Sequence, residues 1–315
     1  MKSLKSTNTI ATTNHANAGI AITRMIEAIN GTTYNKKTVK CACPVCKAGE
    51  ALEIAPAKAY PVYVGGEAAF VSYNHVEYVA GYHGTDIKTI VGSKTANGQE
   101  ISCEIEIKWA TASEHAKIAV LSYMKDKGFA AERDCTVDVE FTGYVARNLT
   151  GLSQIFAALM AFVEAGWIKF DRSCGCHCNI STDKMRDLYG NLSKRKMKAY
   201  LDEATKYMRE HDDDLECVFG RGGYTEYASV YDTGYEGHGC ALNMYHLFEI
   251  NGERKQDMRF EYRICKFNGN DANRYMEMVR RLVKFTDGLM DAYANDKPYT
   301  VAYNLMAKVM KVVEV

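Results

Sequence analysis

The chain has 315 residues, enough to bury a full core in one large domain or two smaller ones. Lysine plus arginine equals aspartate plus glutamate, 39 of each, so no global field favours a nucleic acid or an anionic membrane as partner. The N-terminus has no apolar signal core and no apolar run approaches the roughly 20 residues of a membrane span, which predicts a soluble, cytoplasmic protein with reduced thiols.

Three regions follow one another along the chain. Residues 1–40 form a polar segment with one short helix predicted at 18–29, which ends at an Asn-Gly pair. Residues 41–99 are rich in Val, Tyr and Gly and predict a small β-rich module, with strands at 60–64, 69–73 and 76–82. A turn before residue 100 marks the boundary of the third region, a domain over residues 100–315.

A cysteine cluster opens the β-rich module. Cys41, Cys43 and Cys46 include a Cys-Pro-x-Cys turn, which is typical of half a tetrahedral zinc site, and His75 or His83 would complete the ligand set. Unliganded thiols explain the cluster equally well. A redox dithiol fits less well, because no thioredoxin-like βαβ pattern surrounds the cysteines.

Strands and helices alternate irregularly in the third region, which predicts an α+β fold with helices on one side of a sheet. The predicted strands are 101–109, 135–144, 171–180, 242–250 and 258–267, and a long loop is predicted at 219–240. The predicted helices, with a Thr or Ser cap before the first, are 113–127, 149–164, 184–210, 272–294 and 301–312.

Four of these strands carry chemically active side chains at every second position. Such alternation puts all of them on one face of a strand, with apolar or cysteine side chains on the other. A solvated sheet face is the alternative, but acids, His and Arg dominate here, which favours a site for metal and phosphate. The polar positions are Glu104 and Glu106; Asp134, Thr136, Asp138 and Glu140; Gly175, His177 and Asn179; and Arg259, Glu261 and Arg263.

Each residue type has a role in such a site. Glu104, Glu106, Glu140 and Glu261 offer the hard oxygen ligands that Mg²⁺ prefers. Arg263 has the planar fork that suits a transferring phosphoryl group. No P-loop motif is present, so another device must hold any nucleotide.

Two further residues have open interpretations. His177, next to Gly175, is either a phosphate or substrate contact or a core histidine. Arg221 lies in a glycine-rich stretch that is either flexible connection or a substrate clamp.

The ordered set of motifs resembles the amidoligase family of phages and mobile elements, a branch of the glutamine synthetase and glutamate-cysteine ligase superfamily. The motifs are E-x-E at 104–106, D-x-[ST]-x-x-x-E at 134–140, C-G-x-H-x-[HN] at 174–179, L-N at 242–243 and E-[FY]-R at 261–263. The resemblance covers residues 101–285 and leaves the first hundred unexplained. Asn179 stands where the family has a second histidine.

The resemblance implies a curved, mainly antiparallel sheet of the glutamine synthetase type and ATP-dependent ligation of a carboxylate to an amine through an acyl phosphate. It implies ATP and Mg²⁺ as cofactors, an amino acid, peptide or protein as substrate, and the host cytoplasm as location if a phage encodes the chain. Arg263, His177 and Asp134 take the catalytic positions. The four glutamates, with Asn179 and Arg221, would bind the metal and nucleotide. A non-enzymatic binding or structural protein on a decayed scaffold is the main alternative, and a metal-dependent nuclease is the third.

Overall fold

The structure is a computed structural model that describes residues 61–64, 67–70, 75, 79–81, 99–223, 225–231, 239–248, 258–267 and 271–311. The predicted helix at 18–29 and the cysteines at 41, 43 and 46 lie outside these ranges. None of the described helices combines the length and apolar character that crossing a bilayer demands.

Two antiparallel sheets are present in the described ranges. Strands β1 (Pro61–Val64) and β2 (Glu67–Phe70) form a hairpin in the region predicted to be β-rich. The larger sheet has the order β4-β5-β3-β7-β9-β8, and β6 pairs with the end of β3. Its strands are β3 (Gln99–Trp109), β4 (Phe129–Glu132), β5 (Val139–Gly143), β6 (Ile168–Lys169), β7 (Cys176–Thr182), β8 (Leu242–Asn243) and β9 (Phe260–Tyr262).

Seven α-helices accompany the larger sheet in the described ranges, which confirms the predicted α+β class. Ser113 and Asn148 cap the first two helices, because their side chains accept the backbone N–H groups of the first turn. The helices are α1 (Glu114–Asp126), α2 (Leu149–Glu164), α3 (Asp183–Asp187), α4 (Lys194–Glu210), α5 (Asp212–Phe219), α6 (Ala272–Ala294) and α7 (Thr300–Met310).

Helices α2 and α6 cover one face of the larger sheet and bury the core there. The odd-numbered side chains of β3, Ile101 to Ile107, are fully buried in that core. Tyr262 of β9 reaches α6, where its hydroxyl is 2.5 Å from that of Thr286. The helices therefore leave only the opposite, polar face of the sheet to form a site.

Several predicted elements have different bounds in the structure. The strand predicted at 135–144 begins only at Val139, because the carboxylate of Asp134 accepts the backbone N–H and the hydroxyl of Thr136 and closes a turn. The strand predicted at 171–180 begins at Cys176, after a turn in which Asp171 accepts the N–H of Ser173. Strand β4 was not predicted.

The helix predicted at 184–210 is two helices. Gly190 has a left-handed φ of 88°, which ends the first part, and Ser193 caps the second. The acidic residues after 210 form the first turn of α5, where carboxylates interact favourably with the helix dipole.

Candidate functional site

The polar positions of neighbouring strands lie directly opposite one another. Glu106 pairs with Glu140 across β3 and β5, Glu104 pairs with His177 across β3 and β7, and Asn179 pairs with Glu261 across β7 and β9. Residues opposite each other in a sheet point to the same face. The prediction that the four glutamates share one face is therefore confirmed.

A cavity of about 920 Å³ opens over this face. Most of the predicted site residues line it, while Asn179 lies fully buried directly beneath. The acidic lining side chains lie on β3, β5, β9 and α5 and at or just after the end of β4, and the basic ones lie in loops and directly before and after β9. The charged and histidine lining residues are Glu104, Glu106, Glu132, Asp134, Glu140, Arg172, His177, Glu216, Arg221, His246, Arg259, Glu261, Arg263 and Lys266.

Glu104, His177 and Glu261 bring three ligand atoms within 4.8 Å of one another. His177 Nδ1 is 3.1 Å from Glu104 Oε2 and 3.4 Å from Glu261 Oε1. Asn179 Nδ2 donates to Glu104 Oε1 at 3.2 Å, and Asn243 Nδ2 donates to Glu261 Oε2 at 2.7 Å. Two carboxylates and an imidazole, each oriented by an amide or by one another, fit a divalent cation.

Two carboxylates on this face, Glu104 and Glu140, have opposite pKa shifts. Burial alone would raise the pKa of Glu104, but the hydrogen bond and charge of His177, with Arg259 and Arg263, hold that pKa well below its usual range. Burial, followed by the charges of Glu104 and Glu106, raises the pKa of Glu140 to about 9. Glu140 is therefore protonated at neutral pH unless a cation binds nearby and favours the ionised carboxylate.

Two arginines of the strand β9 segment are held in place by hydrogen bonds. Arg263 Nη1 donates to Glu261 Oε1 at 2.6 Å and Arg263 Nε donates to the carbonyl of Tyr227 at 3.2 Å. Although burial lowers the pKa of Arg263, the charges of Glu261 and Glu104 raise it overall. Arg259 Nε donates to Asn179 Oδ1 at 3.0 Å, and Asn179 in turn donates to Glu104.

Gly175 lies close to Glu106, His177 and Arg221 of the cavity. Its N–H donates to Glu106 Oε2 at 2.5 Å, and its carbonyl accepts the N–H of Glu106 at 3.1 Å. A Cβ on this residue would lie 2.9 Å from Arg221 Nη2 and 3.2 Å from His177 Nε2. A larger residue here would require the end of the Arg221 side chain to move and the His177 ring to shift by a few tenths of an ångström.

Asp134 lines the cavity, but Thr136 already occupies one of its carboxylate oxygens. Burial raises the pKa of Asp134, and the hydrogen bonds from Thr136 outweigh it and lower that pKa. The neighbouring Cys135 was predicted to face the core and is instead exposed, because it lies in the turn before β5. The other cysteines predicted to face the core are buried as expected: Cys103, Cys174, Cys176 and Cys178.

Sequence reasoning missed several lining residues. Arg259 was placed by its alternation on the same strand face as Glu261, but no role was assigned to it. Glu132 lies opposite Glu140 on the unpredicted strand β4. Arg172 and Lys266 come from loops and carried no periodic signal.

The zinc prediction for Cys41, Cys43 and Cys46 falls outside the described residues and stays a prediction. His75, one of its proposed partners, is described. The ring Nδ1 of His75 lies 2.6 Å from Glu114 Oε2, and the backbone N–H of His75 donates to the same oxygen at 2.9 Å. In this arrangement the His75 ring binds helix α1.

No protein-family model matches the chain, and a search of curated proteins found no significant match.

Proposed function

We propose that this chain is an ATP-dependent carboxylate–amine ligase of the amidoligase type, built on a glutamine synthetase-like sheet. The observation that carries the proposal is the convergence of four glutamates, His177 and the buried Arg263 from separate strands on one face of an antiparallel sheet. Buried, mutually coupled charges are costly to a fold and are concentrated at functional sites.

The donor set suits divalent cations that also contact phosphate. Glu104, His177 and Glu261 would hold one cation, and the opposed pair Glu106 and Glu140 would contribute to a second. The histidine was expected to contact phosphate or substrate, but its contacts with two carboxylates favour the ligand role. Magnesium bound there would neutralise charge on the nucleotide phosphates.

The proposed reaction has two steps. The substrate carboxylate attacks the γ-phosphorus of ATP, the bond to ADP breaks, and an acyl phosphate forms. The amine then attacks the acyl carbon, phosphate leaves, and the amine loses a proton as the amide forms. Arg263 would stabilise the phosphoryl group in transfer, and Asp134 would orient the amine.

The size and polarity of the cavity support two substrates at once. About 920 Å³ lies at the upper end of the range for small-molecule sites, which is enough for a nucleotide beside a small acid. The presence of acidic and basic side chains in one cavity also fits a reaction in which cations and anionic substrates meet. A decayed binding scaffold gives no reason to retain so many charged side chains.

The test is turnover by the full chain. Purified protein is incubated with ATP, Mg²⁺ and a panel of amino acids, peptides and amines, and phosphate release and amide products are measured. We expect ATP consumption that requires Mg²⁺, an acid and an amine together. A binding or structural protein would release no phosphate under any combination.

Two variants test whether turnover belongs to this site. Glu104→Gln removes a metal ligand and should reduce turnover at least a hundredfold, since loss of charge at a metal site weakens binding and catalysis. Glu277→Gln changes a carboxylate on the exposed side of α6, outside the cavity lining, and should leave turnover unchanged. Equal loss in both variants would contradict the assignment.

A further inference from the structure

A loop between α5 and β8 borders the cavity. We call its described residues, 221–223 and 225–231, the cavity loop. Three of its side chains line the cavity: Arg221, Thr225 and Tyr227. The carbonyl of Tyr227 also accepts a hydrogen bond from Arg263 Nε at 3.2 Å. The position of the Arg263 guanidinium therefore depends on the position of this loop.

The two ends of the cavity loop meet at a neck formed by Gly223 and Val230. The N–H of Val230 donates to the carbonyl of Gly223 at 3.0 Å, and Arg209 Nη1 of α4 donates to the carbonyl of Val230, also at 3.0 Å. A Cβ on Gly223 would lie 2.5 Å from Leu215 Cδ1 of α5 and 2.7 Å from Val230 Cγ2. The neck therefore packs closely against α4 and α5.

Asp212, in the first turn of α5, binds both sides of the neck. Its Oδ1 accepts the backbone N–H of Gly223 at 3.2 Å, and its Oδ2 accepts the hydroxyl of Tyr231 at 2.8 Å. Hydrogen bonds to a carboxylate are stronger than those between neutral groups. Asp212 does not itself line the cavity, yet its side chain attaches the cavity loop to a helix at both ends.

The guanidinium of Arg263 is held at two different nitrogens. Nη1 donates to Glu261 Oε1 at 2.6 Å and Nε donates to the carbonyl of Tyr227, so the two bonds together fix the plane of the group. Burial lowers the pKa of Arg221, and the charge of Arg263 acts in the same direction against the opposing charge of Glu106. The two guanidiniums repel each other, so the cavity loop keeps them together only if it is firmly attached.

We propose that Asp212 is a positioning residue for ligation: it fixes the neck of the cavity loop and, through the carbonyl of Tyr227, the guanidinium of Arg263. The inference rests on the proposed function, which assigns the transferred phosphoryl group to Arg263. A displacement of about 1 Å at a reacting group is enough to cost on the order of a hundredfold in rate. Asp212 acts as a hydrogen-bond acceptor for the neck and touches no substrate.

Three substitutions in the full chain test the role of Asp212 in turnover. Asp212→Ala removes both hydrogen bonds and should lower kcat for ligation at least about tenfold. Asp212→Asn should restore kcat, because its amide oxygen accepts the N–H of Gly223 and its amide N–H donates to the hydroxyl of Tyr231. Asp213→Ala is the matched control, since Asp213 is exposed in the same turn and shares the interaction with the helix dipole. Equal kcat in Asp212→Ala and Asp213→Ala, or equal loss in Asp212→Ala and Asp212→Asn, would overturn the proposal.

Chemical modification of Arg263 tests the positioning without turnover. Phenylglyoxal reacts with guanidinium groups, and mass spectrometry measures its rate at each arginine of the full chain. Arg263 is buried and hydrogen-bonded, so it should react slowly in the wild type and at least about tenfold faster in Asp212→Ala. Asp212→Asn and Asp213→Ala should react like the wild type. Melting curves identify any variant that fails to fold, and Tyr231→Phe, which removes one bond at an exposed side chain, should then give a smaller increase.

The two measurements separate failure of this inference from failure of the proposed function. Ligation by the wild type, with the same Arg263 reactivity in Asp212→Ala as in the wild type, would refute the positioning role alone. Absence of ligation in the wild type, with faster modification of Arg263 in Asp212→Ala, would refute the proposed function and show only that Asp212 holds the cavity loop.

Discussion

Glu140→Gln should stabilise the metal-free protein, and the gain should grow with pH. In the fold, burial and the charges of Glu104 and Glu106 raise the pKa of Glu140 from 4.5 to about 9. The unfolded chain therefore releases this proton at lower pH than the folded chain does. Folding stability falls as pH rises from 4.5 towards 9 and levels off above it.

The size of the effect follows from the width of the pH range over which the stability of the folded protein falls. Each pH unit inside the window costs the folded state on the order of 1 kcal/mol, so between pH 6 and pH 8 the wild type should lose about 2–3 kcal/mol that the variant keeps. Glutamine is neutral in the folded and the unfolded protein, so the substitution removes only the pH-dependent stability that Glu140 causes. A divalent cation that favours the ionised form should flatten the wild-type dependence.

Urea unfolding at pH 6 and pH 8, in EDTA and in Mg²⁺, measures the difference. Glu277→Gln is the matched control: partial burial raises the pKa of Glu277, but hydrogen bonds from Arg280 and Arg281 outweigh it and lower that pKa. Its substitution should therefore be neutral or slightly destabilising. If wild type and Glu140→Gln lose the same stability between pH 6 and pH 8 in EDTA, then burial and the neighbouring carboxylates do not raise the pKa of Glu140 and the reasoning is refuted.

Three further outcomes are expected. Arg263→Lys should lower the rate of ligation on the order of a thousandfold with a nearly unchanged melting temperature, because lysine keeps the charge and lacks the planar guanidinium fork. Arg280→Lys is the control. Unchanged ligation by Arg263→Lys would remove Arg263 from the site. Cys135 should react quickly with a thiol reagent and Cys178 slowly, as site-resolved mass spectrometry can measure; the reverse order would contradict their exposed and buried positions. Phe156→Ala should cost about 3–5 kcal/mol in urea unfolding, because the ring of this α2 residue is fully buried against Phe267 and Tyr275. A loss below about 1 kcal/mol would be inconsistent with that packing.

Secondary structure could be predicted from the sequence wherever its signal lies within a few consecutive residues. Helix α2 was predicted with its observed bounds, because an apolar stripe lies between the Asn148 cap and a glycine with a left-handed φ of 70° at residue 166. Helix α6 was predicted equally well. The alternation of polar and apolar positions also placed Glu104 with Glu106, and Glu261 with Arg263, on the polar face of their own strands, since the phase of a strand depends only on its own residues.

Strand limits were less predictable, because a strand extends only as far as a neighbour pairs with it. Strands β8 and β9 have 2 and 3 residues, far fewer than their apolar patterns suggested. The turn at Asp134 also imitated a strand: its side chains alternate, yet hydrogen bonds to Thr136 bend the chain and expose Cys135.

The sequence by itself determined which side chains are available to the site and which face of each strand carries them. Only the tertiary structure decided which strands are neighbours, and hence that His177 lies opposite Glu104 and Asn179 opposite Glu261. It alone also brought together Arg172, Arg221 and Lys266, which lie on loops without any period. The physical reason is that side-chain direction is a local property of the backbone, whereas distances between remote residues depend on how the whole chain packs.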